Sequence, residues 1–383
     1  MTAHTWKQHN PTRVVFGPGV VREVDRVAGD HVLLVCSPGA VERGLAGRVA
    51  ALIGERRVRV HARVAANPAI DRLDESIDEL AHASIDAVVA LGGGSALDTG
   101  KVLSLSLANG GVHVRELLEL ASRSDEVPRV PLVAVPTTAG SGSEVTPFAT
   151  VWSAIEPRKL SLGCTSAFPS VALVDPELAI GLNWEQTLST GLDAFVQCFE
   201  SIWNRNATPV ASAVAERGLS LAPDALRRLK REPHALAARS DLAEAALLSG
   251  LAISQTRTAL AHSLSYPITA QLGVPHGLAC ALVLPAVLEF NLEADDGRLA
   301  KLADRLGLAE PEALLGRVLE LYRELGVGQV VRRYVDDLGR LEELAPEMLA
   351  PGRAELNLRQ PDLEAVRGIL SRTDELLGVE VTA

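Results

Sequence analysis

The segment 86–101, DAVVALGGGSALDTGK, limits the fold more than any other stretch of the 383-residue chain. Its apolar run is continuous rather than alternating and far shorter than a membrane span, so it reads as a strand covered on both faces, as in a parallel sheet. Parallel strands need a crossover between them, usually a helix, which makes the class α/β. The run ends in Gly92, Gly93, Gly94 and Ser95, then passes into a helical pattern with Asp98 in its first turn. A loop of this kind aims backbone N–H groups and a helix N-terminus at a pyrophosphate. It is not the G-x-G-x-x-G fingerprint, because position 97 is Leu, and no G-K-[ST] closes it as a Walker loop.

Further strands are predicted at 31–36 (HVLLVC), 58–64 (VRVHARV), 130–138 (VPLVAVPTT) and 170–175 (SVALVD), separated by helical patterns such as AIDRLDESIDELAHAS. This alternation predicts a doubly wound parallel sheet. From about Asn183 the texture changes to long alanine- and leucine-rich segments, among them WEQTLSTGLDAFVQCFESIW and the continuous 241–265 run DLAEAALLSGLAISQTRTALAHSLS. The expected domains are a nucleotide-binding α/β domain over 1–182 and an all-helical domain over 183–383.

Composition removes several classes of function. A net charge of −11 disfavours nucleic acid and anionic membranes as partners. The N-terminus lacks a signal-peptide pattern and no 18-residue uncharged apolar run occurs, so a cytoplasmic location is expected. Cys36, Cys164, Cys198 and Cys280 are far apart, form no C-x-x-C pair and read as buried free thiols.

A second small-residue loop, PTTAGSGSE (136–144), follows the next strand and is expected to close over the ligand of the first loop. After the second strand comes Cys36-Ser37-Pro38, with no carboxylate to repel a 2′-phosphate, so NADPH is permitted there as well as NADH. In the helical half, Asp193 and Gln197 stand four apart and leave one helix face together. His262 and His276 lie on separate later segments. Taken singly, such residues are more often hydrogen-bonded core groups than ligands.

Together, GGGSALDTGK, PTTAGSGSEVTPFATV, ALVDPELA, TGLDAFVQ and ALAHSLSYPITAQLGVPHG resemble, in order and spacing, the iron-containing (group III) alcohol dehydrogenases, from about Phe16 to Asn291. The resemblance implies a nucleotide-binding N-terminal domain, an all-α C-terminal domain of dehydroquinate synthase-like architecture, and a divalent metal, Fe(II) or Zn(II), in the cleft between them. It also implies NAD(P)H as the hydride donor, with contacts expected from Ser37, Gly92, Gly93, Gly94, Ser95, Asp98, Thr137, Thr138, Ser143 and Lys159. The family's ligands, one aspartate and three histidines, fall on Asp193, Gln197, His262 and His276. Gln197 departs from that pattern, and its neutral amide is a weaker donor than imidazole. Tyr266 stands where many members carry a proton-relay histidine, which makes Tyr266 and the ligand His262 the expected catalytic residues.

Gln197, Tyr266, ESIWNRNATP and ISQTRTALAHSLSYP are most similar to the phosphonoacetaldehyde reductase branch, of phosphonate natural-product biosynthesis. Arg257, one and a half helical turns before His262, would then bind the phosphonate through its guanidinium fork, with neutral hydrogen bonds from Asn206, Ser254 and Gln255. The expected reaction reduces a small anionic aldehyde to a primary alcohol, and the resemblance suggests a homodimer. A generic alcohol dehydrogenase or lactaldehyde-type reductase, a dehydroquinate synthase-like lyase and a non-catalytic binding protein remain alternatives. A structural pairing of Arg257 with a buried carboxylate such as Glu200 also remains open.

Overall fold

The structure, a computed structural model, describes residues 5–27, 29–54, 57–153, 158–335, 337–349 and 352–378. The chain divides into two compact units, His9–Gly181 and Leu182–Ala383 with Met1–Gln8.

The strands of the first unit are β1 (Arg13–Phe16), β2 (Val32–Cys36), β3 (Val58–His61), β4 (Ala87–Gly92), β5 (Leu132–Pro136), β6 (Phe148–Ser153), β7 (Arg158–Gly163) and β8 (Val171–Val174). Six form a sheet in the order β1-β8-β5-β4-β2-β3, every pairing parallel, while β6 and β7 form a separate antiparallel hairpin. The continuous apolar runs have the cause anticipated, since β2, β4 and β5 are buried at every position. Successive side chains go to opposite faces: Leu33, Val35, Val88 and Ala90 join one core, and Val32, Leu34, Val89 and Leu91 the other.

The paired strands are shorter than the apolar runs suggested, ending for example at His61 rather than Val64. The sequence reading also missed β1, an edge strand half exposed along its length, and the β6–β7 hairpin, whose first strand alternates buried and half-buried positions. From β2 the chain leads outward to β3, and from β4 it leads the other way to β5. The carboxyl ends of β2 and β4 therefore flank a topological switch point, the crevice where open α/β sheets bind ligands.

The second unit is helical, and none of its described residues forms a strand. Its principal helices are Trp184–Trp203, Pro209–Arg231, Leu236–Thr256, Leu260–Leu272 and His276–Leu292. Asn183 caps the first, its Oδ1 accepting from the Gln186 N–H at 2.8 Å, and Thr208 caps the second with Pro209 behind it. The 241–265 segment is not continuous helix. It breaks at Arg257, which adopts φ 63° and ψ 178°, a region nearly confined to glycine. Two donors hold the Arg257 carbonyl, Asn204 Nδ2 at 3.2 Å and Thr256 Oγ1 at 2.8 Å. The next helix is received by Glu200, whose carboxylate accepts from the Ala259 N–H at 2.7 Å and the His262 N–H at 3.1 Å. The helical spacing expected from Arg257 to His262 is thus replaced by a turn. Among the described residues no helix is long and apolar enough to cross a membrane.

Candidate metal centre and nucleotide loops

The two small-residue loops meet at the carboxyl ends of β4 and β5. A methyl group on Gly92 would lie 2.5 Å from the Ala96 Cβ, so the turn into the helix requires glycine there, and one on Gly93 would lie a tight 3.2 Å from Thr138 Oγ1 in the second loop. The helix after them begins at Gly94, which puts Asp98 in its second turn rather than its first. Asp98 ties the loops together: Oδ1 accepts from Ser143 Oγ at 2.6 Å and Oδ2 from the Thr150 N–H at 2.8 Å. The sequence reading passed over Lys101, which is fully buried and donates to Ser143 Oγ at 2.7 Å and to the Phe148 carbonyl at 2.6 Å. Burial brings its pKa down to about 8, against the raising influence of Asp98 and Glu144.

Thr137 is buried, and its N–H donates to the Gly92 carbonyl at 2.9 Å. Ser37 follows β2 at the head of a short turn of helix. A few residues on, Arg43 reaches Thr137 Oγ1 at 3.4 Å, joining the Ser37 segment to the glycine loops. Ser95 is half-buried in the first turn after the loop, and Lys159 lies on β7 opposite Trp152.

In the helical unit the donor atoms of Asp193, His262, His276 and Cys280 all lie within 4.8 Å of one another. His262 sits at the centre, with Nε2 3.2 Å from Asp193 Oδ1 and Nδ1 2.7 Å from Glu200 Oε2. The Glu200 contact is close but too poorly aligned to count as a hydrogen bond. Burial opposes a charge on His262, but Cys280, Glu200 and Asp193 together outweigh it and raise the histidine well above its ordinary value. Three acidic groups around two imidazoles amount to a buried demand for positive charge, which a divalent ion meets. The donors thus fit a metal, and Glu200 would hold His262 from behind in a carboxylate–histidine arrangement.

The structure places the four expected ligands unequally. The donor atoms of Asp193, His262 and His276 come together. Gln197, one turn after Asp193 and 3 % exposed, pairs with Ser249 at 2.8 Å. Ser249 has one proton and a second acceptor in the Ala246 carbonyl, also at 2.8 Å. In this arrangement the Gln197 Oε1 accepts from Ser249 Oγ. Cys280 is the member the sequence reading left out. It follows His276 by four residues on one helix, the same spacing that drew attention to Asp193 and Gln197. Burial alone would raise its thiol, but His262 and His276 bring it down to about 7.

Tyr266 stacks on His276, with ring centroids 6.0 Å apart and planes at 20°. Its hydroxyl accepts from Arg353 Nε at 3.4 Å, while Arg353 Nη1 is buried without a hydrogen-bond partner. Arg257 has solvent access, yet its guanidinium is partly desolvated: burial, and then the like charge of Arg353, lower its pKa. Glu200, the carboxylate considered as a partner for Arg257, is instead engaged with Ala259 and His262. Ser254 Oγ accepts from Gln255 Nε2 at 2.7 Å, and Asn206 and Gln255 line a groove shared with Arg205, Arg298 and Lys301.

A glycine-loop crevice at a sheet switch point and a buried cluster of metal donors on helices define a metal-dependent nucleotide-linked dehydrogenase. Residues 11–176 match the iron-containing alcohol dehydrogenase model and residues 187–373 the Fe-containing alcohol dehydrogenase C-terminal model, and the chain belongs to the iron-containing alcohol dehydrogenase family. It is therefore an oxidoreductase of a family that uses NAD(H) and a divalent metal. The NAD-dependent methanol dehydrogenase of Bacillus methanolicus is 30% identical over 92% of this chain and 90% of its own. The phosphonoacetaldehyde reductase of Streptomyces viridochromogenes is 40% identical, but over 54% of this chain and only 53% of its own length. Among solved structures, the sulfoacetaldehyde reductase from Bifidobacterium kashiwanohense in complex with NAD+ superposes with a TM-score of 0.87 at 26% identity, covering 97% of this chain and 99% of that one.

Proposed function

We propose that the protein reduces a short anionic aldehyde to its primary alcohol with NAD(P)H, the substrate being phosphonoacetaldehyde and the product 2-hydroxyethylphosphonate. The observation that carries this reading is the pair of guanidiniums Arg257 and Arg353, within electrostatic range of each other, the second donating to the Tyr266 hydroxyl. Arg353 Nη1 is buried without a hydrogen-bond partner and Arg257 lies within its electrostatic range, so an anion received by both guanidiniums would be stabilised by two cations. A phosphonate dianion takes two such forks at once. The partial match to a phosphonoacetaldehyde reductase supports the same choice. A sulfonate is the second reading, favoured by the sulfoacetaldehyde reductase of similar structure.

When bound, the metal and the nicotinamide supply a Lewis acid and a hydride donor. The chain's own residues hold and orient. Asp193, His262 and His276 are the metal donors of this reading, with Gln197 beside them and Glu200 fixing the His262 ring. Tyr266, held by His276 on its face and Arg353 at its hydroxyl, holds the proton that the alcohol requires. Gly92, Gly93, Gly94 and Ser95, with Thr137 and Thr138, form the pyrophosphate cradle, and Asp98, Ser143 and Lys159 support it. Ser37 lies toward the adenosine ribose, where Arg43 favours a 2′-phosphate. The reading includes a homodimer in the cytoplasm, checked by the solution mass from sedimentation equilibrium and by cell fractionation.

Replacing Arg257 with Leu tests the clamp. The KM for phosphonoacetaldehyde should rise roughly 10–100-fold, the scale of a charge-assisted hydrogen bond, while propionaldehyde reduction stays within about twofold. Equal losses for both aldehydes would assign Arg257 to the fold instead. The same comparison with sulfoacetaldehyde separates phosphonate from sulfonate.

A further inference from the structure

We propose that Cys280 binds the divalent metal as a thiolate, completing an Asp193–His262–His276–Cys280 donor set that selects zinc. The proposal rests on the family's metal-dependent chemistry but not on the identity of the aldehyde.

The geometry is that of a converging set. Cys280 is fully buried, and its Sγ lies 3.8 Å from His276 Nε2 and 3.9 Å from His276 Nδ1. The four donors come from three helices: Asp193 from Trp184–Trp203, His262 from Leu260–Leu272, and both His276 and Cys280 from His276–Leu292. Donors around a tetrahedral zinc stand roughly 3.3–3.5 Å apart, given bonds of about 2.0 Å to nitrogen or oxygen and 2.3 Å to sulfur. Mutual distances within 4.8 Å need only small side-chain contraction to reach this.

Hydrogen bonding already sorts the ring nitrogens. Ser265 Oγ donates to the His262 carbonyl at 2.8 Å and lies 3.5 Å from His276 Nδ1. That arrangement leaves His276 Nδ1 as the donor to Ser265 and His276 Nε2, the nitrogen nearer to Cys280, for the ion.

Charge and softness give the same answer. One carboxylate, one thiolate and two neutral imidazoles neutralise a divalent ion in a site with little access to water. Thiolate is also the donor that shifts preference toward zinc and away from harder ions. Gln197 contributes no charge and is engaged with Ser249, so it does not supply the anion that the site needs.

The test uses the whole protein stripped of metal and reloaded with cobalt(II) alone, read by absorption. The wild type should show the near-ultraviolet thiolate-to-cobalt charge-transfer band. Cys280→Ser should lose it while Cys198→Ser keeps it. In chelator competition, Cys280→Ser should lose more zinc affinity than the roughly 10–100-fold that removal of an outer-sphere partner costs. Absence of the band from the wild type, its persistence in Cys280→Ser, or a loss of zinc affinity of no more than about 100-fold would overturn the proposal. Should Cys280→Ser fail to fold, the wild-type spectrum decides alone. None of these readings depends on turnover, so a wrong aldehyde leaves them untouched.

Discussion

At the scale of single residues, the centre was partly legible in advance. Asp193, His262 and His276 stood out because polar groups in apolar helices demand an explanation, and the structure brings their donor atoms together. Cys280 escaped because a buried thiol needs no partner and so leaves no trace in composition. Its position four residues after His276 was the available signal. Arg353 escaped because it lies between a turn and a short 3-10 segment, Ala354–Leu356, where no periodic pattern marks a functional face. Two predictions belong to this scale. His262→Ala should abolish bound metal and reductase activity together, checked by metal analysis and NAD(P)H oxidation, because it removes the donor around which the other three converge. Ser37→Asp should weaken NADPH far more than NADH, since a carboxylate repels a 2′-phosphate but accepts from an unmodified ribose. Comparison of the two dissociation constants measures this, and equal losses would remove Ser37 from the ribose site.

Elements were read well where periodicity was long and poorly where it was interrupted. The helix Trp184–Trp203 has the limits of its apolar pattern because Asn183 supplies a cap. The 241–265 segment keeps helical composition across a break that only tertiary contacts reveal, namely Asn204 on the Arg257 carbonyl and Glu200 on the following helix. Glu200 therefore both starts that helix and backs His262. Glu200→Gln keeps an acceptor for one of the Ala259 and His262 N–H groups, which bond to different carboxylate oxygens, and removes the charge, so it should lose roughly 10–100-fold in metal affinity. Glu200→Ala also leaves two buried donors unpaired, at about 1–3 kcal/mol each, and its melting temperature should fall clearly below that of Glu200→Gln. Equal melting temperatures for the two variants would show that the cap contributes little. In the first unit, Gly92→Ala forces a methyl group to within 2.5 Å of Ala96. Overpacking of this kind costs about 1–3 kcal/mol, and the displaced loop should weaken nucleotide binding, seen by calorimetry.

For the molecule as a whole, the α/β-then-helical order was evident from the sequence because parallel strands buried on both faces and long alanine-rich helices have different textures. The strand order was not, since nothing local in β8 marks it as the neighbour of both β1 and β5. On the proposed reading, substrate choice also depends on the tertiary structure of the helical unit, since Arg257 and Arg353 are 96 positions apart in sequence and their charges interact only in the fold. The central claim is that this pair makes the protein a reductase of anionic aldehydes. The most direct measurement is kcat/KM of the metal-loaded wild type for phosphonoacetaldehyde against propionaldehyde, with the same cofactor and at the same salt. The account predicts a preference of at least about 100-fold for the phosphonate, corresponding to two charge-assisted contacts at roughly 1.5–3 kcal/mol each. Equal values, or a preference for propionaldehyde, would contradict it.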